Sequence, residues 1–166
     1  MRRPGYRTSA VPVAVQQYGA NLLDAAEQGL ETGIGTWVAH DGASAVAQST
    51  DQAKAGSNSL KVTGDGGGTV ICRAGEKSTF EDGENYLMEC WFYLPADWGA
   101  TTIGIRTNLS NDTSIVINEV STVTTWVKAT TTFTCGADTA AHILIQASAT
   151  VSKVFYIDEV YVRKLL

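Results

Sequence analysis

The chain has 166 residues, enough for one domain with a core of its own and too few for two ordinary ones. Hydrophobic residues make up 44 % and charged residues only 17 %, which excludes a disordered chain; Thr, Ser, Gly, Ala and Val fill the difference and favour strands and turns. The net charge is −5, yet residues 1–20 hold Arg2, Arg3, Arg7 and no acid, leaving −8 for the remainder, and so acidic a body argues against nucleic-acid binding.

Residues 1–20 differ from everything after them. They contain Pro4 and Pro12, and Val11, Val13 and Val15 alternate with smaller or polar residues, a pattern of extended chain. This segment is expected to be an N-terminal docking arm, with the domain proper at 21–166. Arg2, Arg3 and Arg7 would meet carboxylates on a neighbour, and the three valines would add a strand to an open sheet edge. Met1-Arg-Arg-Pro is positive but is followed by no apolar run of signal-peptide length, and no stretch is long enough to span a membrane.

Residues 21–31 fit one helical turn or a short lead-in strand. Beyond them strand patterns recur at 36–40, 43–49, 59–63, 69–73, 85–94, 101–108, 114–120, 125–134, 142–148 and 153–163, with a further helical turn near 51–55. Turn clusters such as Asp65-Gly-Gly-Gly, Glu81-Asp-Gly and Pro95-Ala-Asp-Trp-Gly separate them. Many short strands at this spacing predict an all-β sandwich. Period two places Met88, Cys90, Phe92, Ile103, Ile105, Ile143, Ile145, Val160 and Val162 in the core, with Trp37 and Trp126 in the core or at its edge. Trp98, in a turn, would cap the sandwich or serve as a contact residue. Cys72, Cys90 and Cys135 match neither zinc nor redox spacing and read as reduced, buried thiols; a Cys72–Cys90 bridge would need neighbouring strands.

Several segments resemble carbohydrate-binding modules of the cellulose- and xylan-binding jelly-roll type. These are Leu30-Glu31-Thr-Gly33 followed by Trp37, Lys54-Ala-Gly56-Ser57-Asn-Ser59-Leu60-Lys-Val62, Tyr86-x-Met-x-Cys-Trp91-Phe-Tyr, Thr125-Trp126-Val, and Phe155-Tyr-Ile-Asp158-Glu-Val160-Tyr-Val162. The resemblance spans roughly 21–164, with Leu30 standing where the family usually has Phe. It implies a jelly-roll β-sandwich of two antiparallel sheets. It also implies a structural calcium at Glu31 and Asp158, completed by backbone oxygens near 54–57; ordinary hydrogen bonds at turns are the other reading of that pair.

Glu89, Trp91 and Tyr93, joined by Arg106, His142 and Gln146, form the candidate glycan surface, since aromatic faces suit the C–H side of a sugar and polar groups its hydroxyls. Trp91 packed beneath a loop or the arm is the structural alternative. No catalytic constellation is present: His40 and His142 lack a nucleophile at an informative spacing, and the Glu81/Asp82/Glu84 cluster reads as a solvated turn. The expectation is therefore a non-catalytic structural or accessory protein of a bacteriophage virion, a capsid decoration or tail component made in the host cytoplasm. It would dock through its arm on other virion proteins or on copies of itself, with cell-surface glycan as a further partner. The alternative is a stand-alone or excised carbohydrate-binding module recognising polysaccharide.

Overall fold

The computed structural model describes residues 16–98, 103–108, 122–137, 139–149 and 153–166. In chain order these form β1 (Tyr18–Asn21), α1 (Ala25–Gly29), β2 (Val38–His40), β3 (Ala43–Ser49), β4 (Ser59–Gly64), β5 (Gly68–Arg73) and β6 (Ser78–Thr79). There follow β7 (Asn85–Tyr93), β8 (Ile103–Thr107), β9 (Trp126–Thr134), β10 (Ala140–Ala141), β11 (Ile143–Ala149) and β12 (Val154–Leu165). All strand pairs are antiparallel. The larger sheet runs β3-β4-β12-β7-β9 with β1 also on β12, the smaller runs β2-β5-β11-β8, and β6 with β10 makes a two-stranded ladder.

The sandwich follows from alternation. Along β7, Tyr86, Met88, Cys90 and Phe92 point into a core that also receives Ile103, Ile105, Ile143, Ile145, Val160 and Val162 from other strands. All nine side chains expected in the core are fully buried. Each large aliphatic or aromatic side chain removed from water in this way contributes roughly 1.5–3 kcal/mol. Trp37 is in the core, and Trp98 is buried against Phe155, edge to face at 5.4 Å, as a cap. The three cysteines are free and buried. Burial pushes the Cys72 and Cys90 thiols well up, so both stay neutral and unreactive.

Three expectations change, and two others fall on residues outside those described. Tyr18, Gly19 and Ala20, placed in the arm by sequence, form a strand with Asn21: Tyr18 pairs with Leu165 and Asn21 with Arg163. The arm residues Arg2, Arg3, Arg7, Val11, Val13 and Val15, and the strand expected at 114–120, lie outside the described residues. No helical turn forms at 51–55, because the N–H groups of Lys54 and Ala55 donate to Asp158 instead of to a local ladder. Trp126 is not in the core. It stands opposite Tyr93 on the outer face of the larger sheet, while Val127 packs inward.

One edge of β12 is shared end to end by β4 and β1. Between them β12 bulges at 158–161, with Glu159 at φ 54°, a left-handed conformation that costs a non-glycine residue about 1–2 kcal/mol. Asn21 fills the gap with its side chain. Its Oδ1 accepts from Val162 N at 2.7 Å, and its Nδ2 donates to Val160 O at 3.2 Å, in place of ladder bonds. Just after it, Asp24 and Glu27 close a capping box on α1.

The helix ends on Leu30, also left-handed at φ 59° and fully buried. Glycine would suit that backbone, but burying leucine outweighs the strain. Leu30→Ala should therefore lower unfolding stability by about 2–5 kcal/mol. Leu30→Gly should cost no more, and about 1 kcal/mol less if the strain is fully relieved, reversing the usual ranking of the two residues. Chemical denaturation of both variants checks this.

Candidate functional site

Six residues were expected to share one glycan surface, and the fold divides them. Glu89, Trp91 and Tyr93 alternate with core residues of β7, so they face outward from the larger sheet. Arg106 on β8, Gln146 on β11 and His142 just before β11 face outward from the smaller sheet, on the far side of the core.

On the larger sheet each of the three has a partner. Glu89 forms an ion pair with Lys128. The ammonium of Lys54, from the loop between β3 and β4, lies 4.3 Å from the centre of the Trp91 ring. Tyr93 packs between Trp126 and Tyr156, with ring centres at 5.7 and 6.0 Å and planes tilted by 53° and 72°. The Tyr93–Tyr156 pair is edge to face and the Tyr93–Trp126 pair is tilted, so the three rings do not lie in one plane.

The outer face of the smaller sheet is different. Arg73 on β5 and Arg106 on β8 stand opposite Leu144 of β11, one on each side, in a single cross-strand row. Leu144 is only 4 % exposed although it points away from the core. The aliphatic stems of the flanking arginines can cover it while their heads stay wet. One row along, Gln146 lies between Ile71 and Gly104. Gly104, itself buried, presents only backbone beside Gln146. Three polar atoms on this face, Arg73 Nε, Arg106 Nε and Gln146 Oε1, are buried and have no hydrogen-bond partner. Buried polar atoms are normally satisfied, and a group of three on one surface marks a place where water or a ligand completes the bonding. At the margin, His142 Nδ1 bonds to Ala74 O at 2.9 Å, so that nitrogen carries the proton, and His142 N donates to Asn108 Oδ1 at 2.7 Å. Arg73 was missed by sequence reading. Its only signal is that it shares outward parity with Ile71 at the end of an otherwise apolar strand.

Glu31 and Asp158 grip one loop from two ends. Asp158 is fully buried; its Oδ2 accepts from Lys54 N at 2.8 Å and Ala55 N at 3.0 Å, and its Oδ1 from Glu159 N at 2.8 Å. Glu31 accepts from Ser57 N at 3.0 Å, Asn58 N at 2.9 Å and Asn58 Nδ2 at 3.2 Å. Gly56, between the two grips, has φ +63°, and a Cβ there would collide with the Glu31 carboxylate. Desolvation raises the Asp158 pKa against the pull of its N–H donors, whereas the Asn58 N–H, with lesser help, lowers that of Glu31. N–H groups aimed at both carboxylates suit two anions clamping a loop, and they do not suit a cation between those side chains. Among the described residues no group of three or more His, Cys, Asp or Glu could hold a metal ion. The chelator titration below decides whether calcium binds.

The family model described as "Carbohydrate binding domain" matches residues 25–150. Among solved structures, the chain is similar to the CBM22-1 xylan-binding domain of Paenibacillus barcinonensis Xyn10C. That pair has 20 % identity, a TM-score of 0.63 and coverage of 89 % of this chain and 96 % of that one. It is also similar to the C-terminal family 22 carbohydrate binding module of Clostridium thermocellum Xyn10B, at 17 % identity, TM-score 0.65, and 82 % and 90 % coverage. The enzymatically active domain of tailspike protein 4 from bacteriophage CBA120 aligns at 13 % identity and TM-score 0.57, over 88 % of this chain and 21 % of that one. At these identities the structural likeness speaks for the fold. The comparison with curated proteins gives no match.

Two outcomes test the clamp. Asp158→Ala strands the Lys54, Ala55 and Glu159 N–H groups and should cost roughly 2–3 kcal/mol, while chelator should leave the wild-type melting temperature unchanged; a drop reversed by added calcium would place the ion at this loop. Because the pKa of Glu31 is lowered from 4.5 on folding, its contribution is present above that value and lost as pH falls through the folded pKa. The melting-temperature gap between wild type and Glu31→Gln should therefore be present at neutral pH and close in acid below pH 4.5.

Proposed function

Since the chain belongs to the carbohydrate binding domain family, we propose that it is a non-catalytic glycan-binding module whose site is the outer face of the smaller sheet, β2-β5-β11-β8. The observation that carries this reading is the group of three buried, unpartnered polar atoms, Arg73 Nε, Arg106 Nε and Gln146 Oε1, on one outward surface. A sugar presents hydroxyls that both donate and accept, so one ligand can satisfy a guanidinium nitrogen and an amide oxygen together. The relatives' printed names, which include xylan-binding domains, support the class of ligand.

The placement of Glu89, Trp91 and Tyr93 beneath Lys54 and beside Lys128 supports a structural role for those three. Calcium at Glu31 and Asp158 is not needed for this reading, because the loop they hold belongs to the larger sheet's side of the molecule.

A second reading puts the same module in a bacteriophage particle, as a decoration or tail component that docks through Arg2, Arg3, Arg7 and the valines at 11, 13 and 15. The tailspike likeness favours it. It would make virion proteins or further copies of this chain the partners, and surface glycan the target.

Affinity electrophoresis in gels cast with neutral and acidic polysaccharides tests the first reading. Retardation is expected in at least one gel, weakened by Gln146→Ala and kept by Trp126→Ala; the reverse pattern would move the site to the larger sheet. Removal of residues 1–15 tests the second. The shortened chain should keep its melting temperature, and on the second reading it should lose attachment to the particle seen by electron microscopy.

A further inference from the structure

The sugar site just described has an unusual chemical lining. None of its four strands contains an Asp or Glu, and none contains Phe, Tyr or Trp. A neutral sugar is commonly held by stacking on Trp, Tyr or Phe, and these strands supply none of the three; their one ring is the His40 imidazole of β2. They supply two guanidiniums instead. Arg73 and Arg106 take part in none of the ion pairs among the described residues. Each has its Nε buried and unpartnered, which for an arginine leaves one edge of the planar fork without an acceptor. Their Cα atoms are two strand spacings apart, about 10 Å, because both pair with Leu144.

From this we propose that the face binds an anionic polysaccharide, one whose sugars carry uronate carboxylates, with Arg73 and Arg106 each taking a carboxylate and Gln146 Oε1 accepting from a hydroxyl between them. The proposal rests on the glycan-binding reading and narrows its ligand. A carboxylate is planar and presents two oxygens, the complement of a guanidinium edge. Two such forks in one row suit charges repeated along a chain better than a single anion.

The net charge of −5 does not forbid an anionic ligand. Exposed charges are largely screened beyond about 8 Å at physiological salt, so the two local cations decide the sign of the field that the ligand meets. The same argument makes the binding sensitive to salt.

The test is calorimetric titration with oligogalacturonate, alginate oligosaccharide and glucuronoxylan fragments, each beside its carboxyl-reduced form. Wild type is compared with Arg73→Gln, Arg106→Gln and Arg106→Lys, and melting curves report folding. The expected result is binding of at least one carboxylated glycan, tenfold or more tighter than its reduced form and weakening as salt is raised. Each glutamine variant should lose about tenfold or more, and Arg106→Lys, which keeps the charge and loses the fork, should lose less. If reduced forms bind as tightly as carboxylated ones, the charge proposal is overturned and the glycan-binding reading stands. If carboxylated glycans bind and the folded arginine variants match wild type, the assignment of these residues is overturned. If no glycan of either kind binds, both readings fall. Should a glutamine variant fail to fold, Arg106→Lys and the salt series still decide, since a structural role predicts no salt-dependent affinity.

Discussion

The larger sheet depends on a strand that is made last. β12 lies at its centre, with β7 along one edge and β4 and β1 sharing the other, and no neighbour of β12 is adjacent to it in sequence. Until residues 154–165 are in place, β3 with β4 and β7 with β9 are separate ribbons. Closing contacts of such long range is entropically costly and makes folding slow. It also means that disturbing β12 disconnects most of the sheet at once. That explains why so many polar devices converge there: Asn21 bridges the bulge, Asp158 anchors the loop from 54, and Cys90 Sγ lies 4.0 Å from Asp158 O.

Those devices trade off against one another. Asp158 is expensive to bury, and its raised pKa reports that cost. Three N–H groups that would otherwise lack partners offset it. Glu31 does the same work at the surface, where its Asn58 and Ser57 donors together outweigh desolvation, and its pKa moves the other way. One loop is thus held by two carboxylates whose pKa values are displaced in opposite directions.

The sequence was informative where the physics is local. Period two sorted inward from outward residues in β7, β8 and β11, because a regular pleated strand allows no other arrangement. In β12 it holds only on each side of the bulge, with Phe155 and Ile157 inward before it and Val160 and Val162 inward after it. The family resemblance, and not periodicity, pointed to the segments around Glu31, Lys54 and Asp158, which meet in space. What the sequence could not supply was sheet membership. Glu89 and Gln146 are both outward, but outward from different sheets, and that is set by which strands pair across the whole chain. Trp126 was misplaced for a related reason: one Trp among threonines and valines gives no clue to parity. Arg73 escaped notice because Thr-Val-Ile-Cys-Arg reads as a core strand with a terminal charge, and only the register opposite Leu144 shows it as the partner of Arg106.

The two ends of the described chain leave from one place. Tyr18 pairs with Leu165, and Leu166 N donates to Gln17 O at 3.1 Å. A domain with neighbouring ends can be spliced into a surface turn of another protein with little stretching of its host, and it tolerates rejoining those ends and opening the chain elsewhere. The Asp65-Gly-Gly-Gly turn, where the chain passes from β4 of the larger sheet to β5 of the smaller, is a natural point for such a cut. Both ends lie on the larger sheet, across the core from the two arginines, so a host attached there leaves the arginine face open.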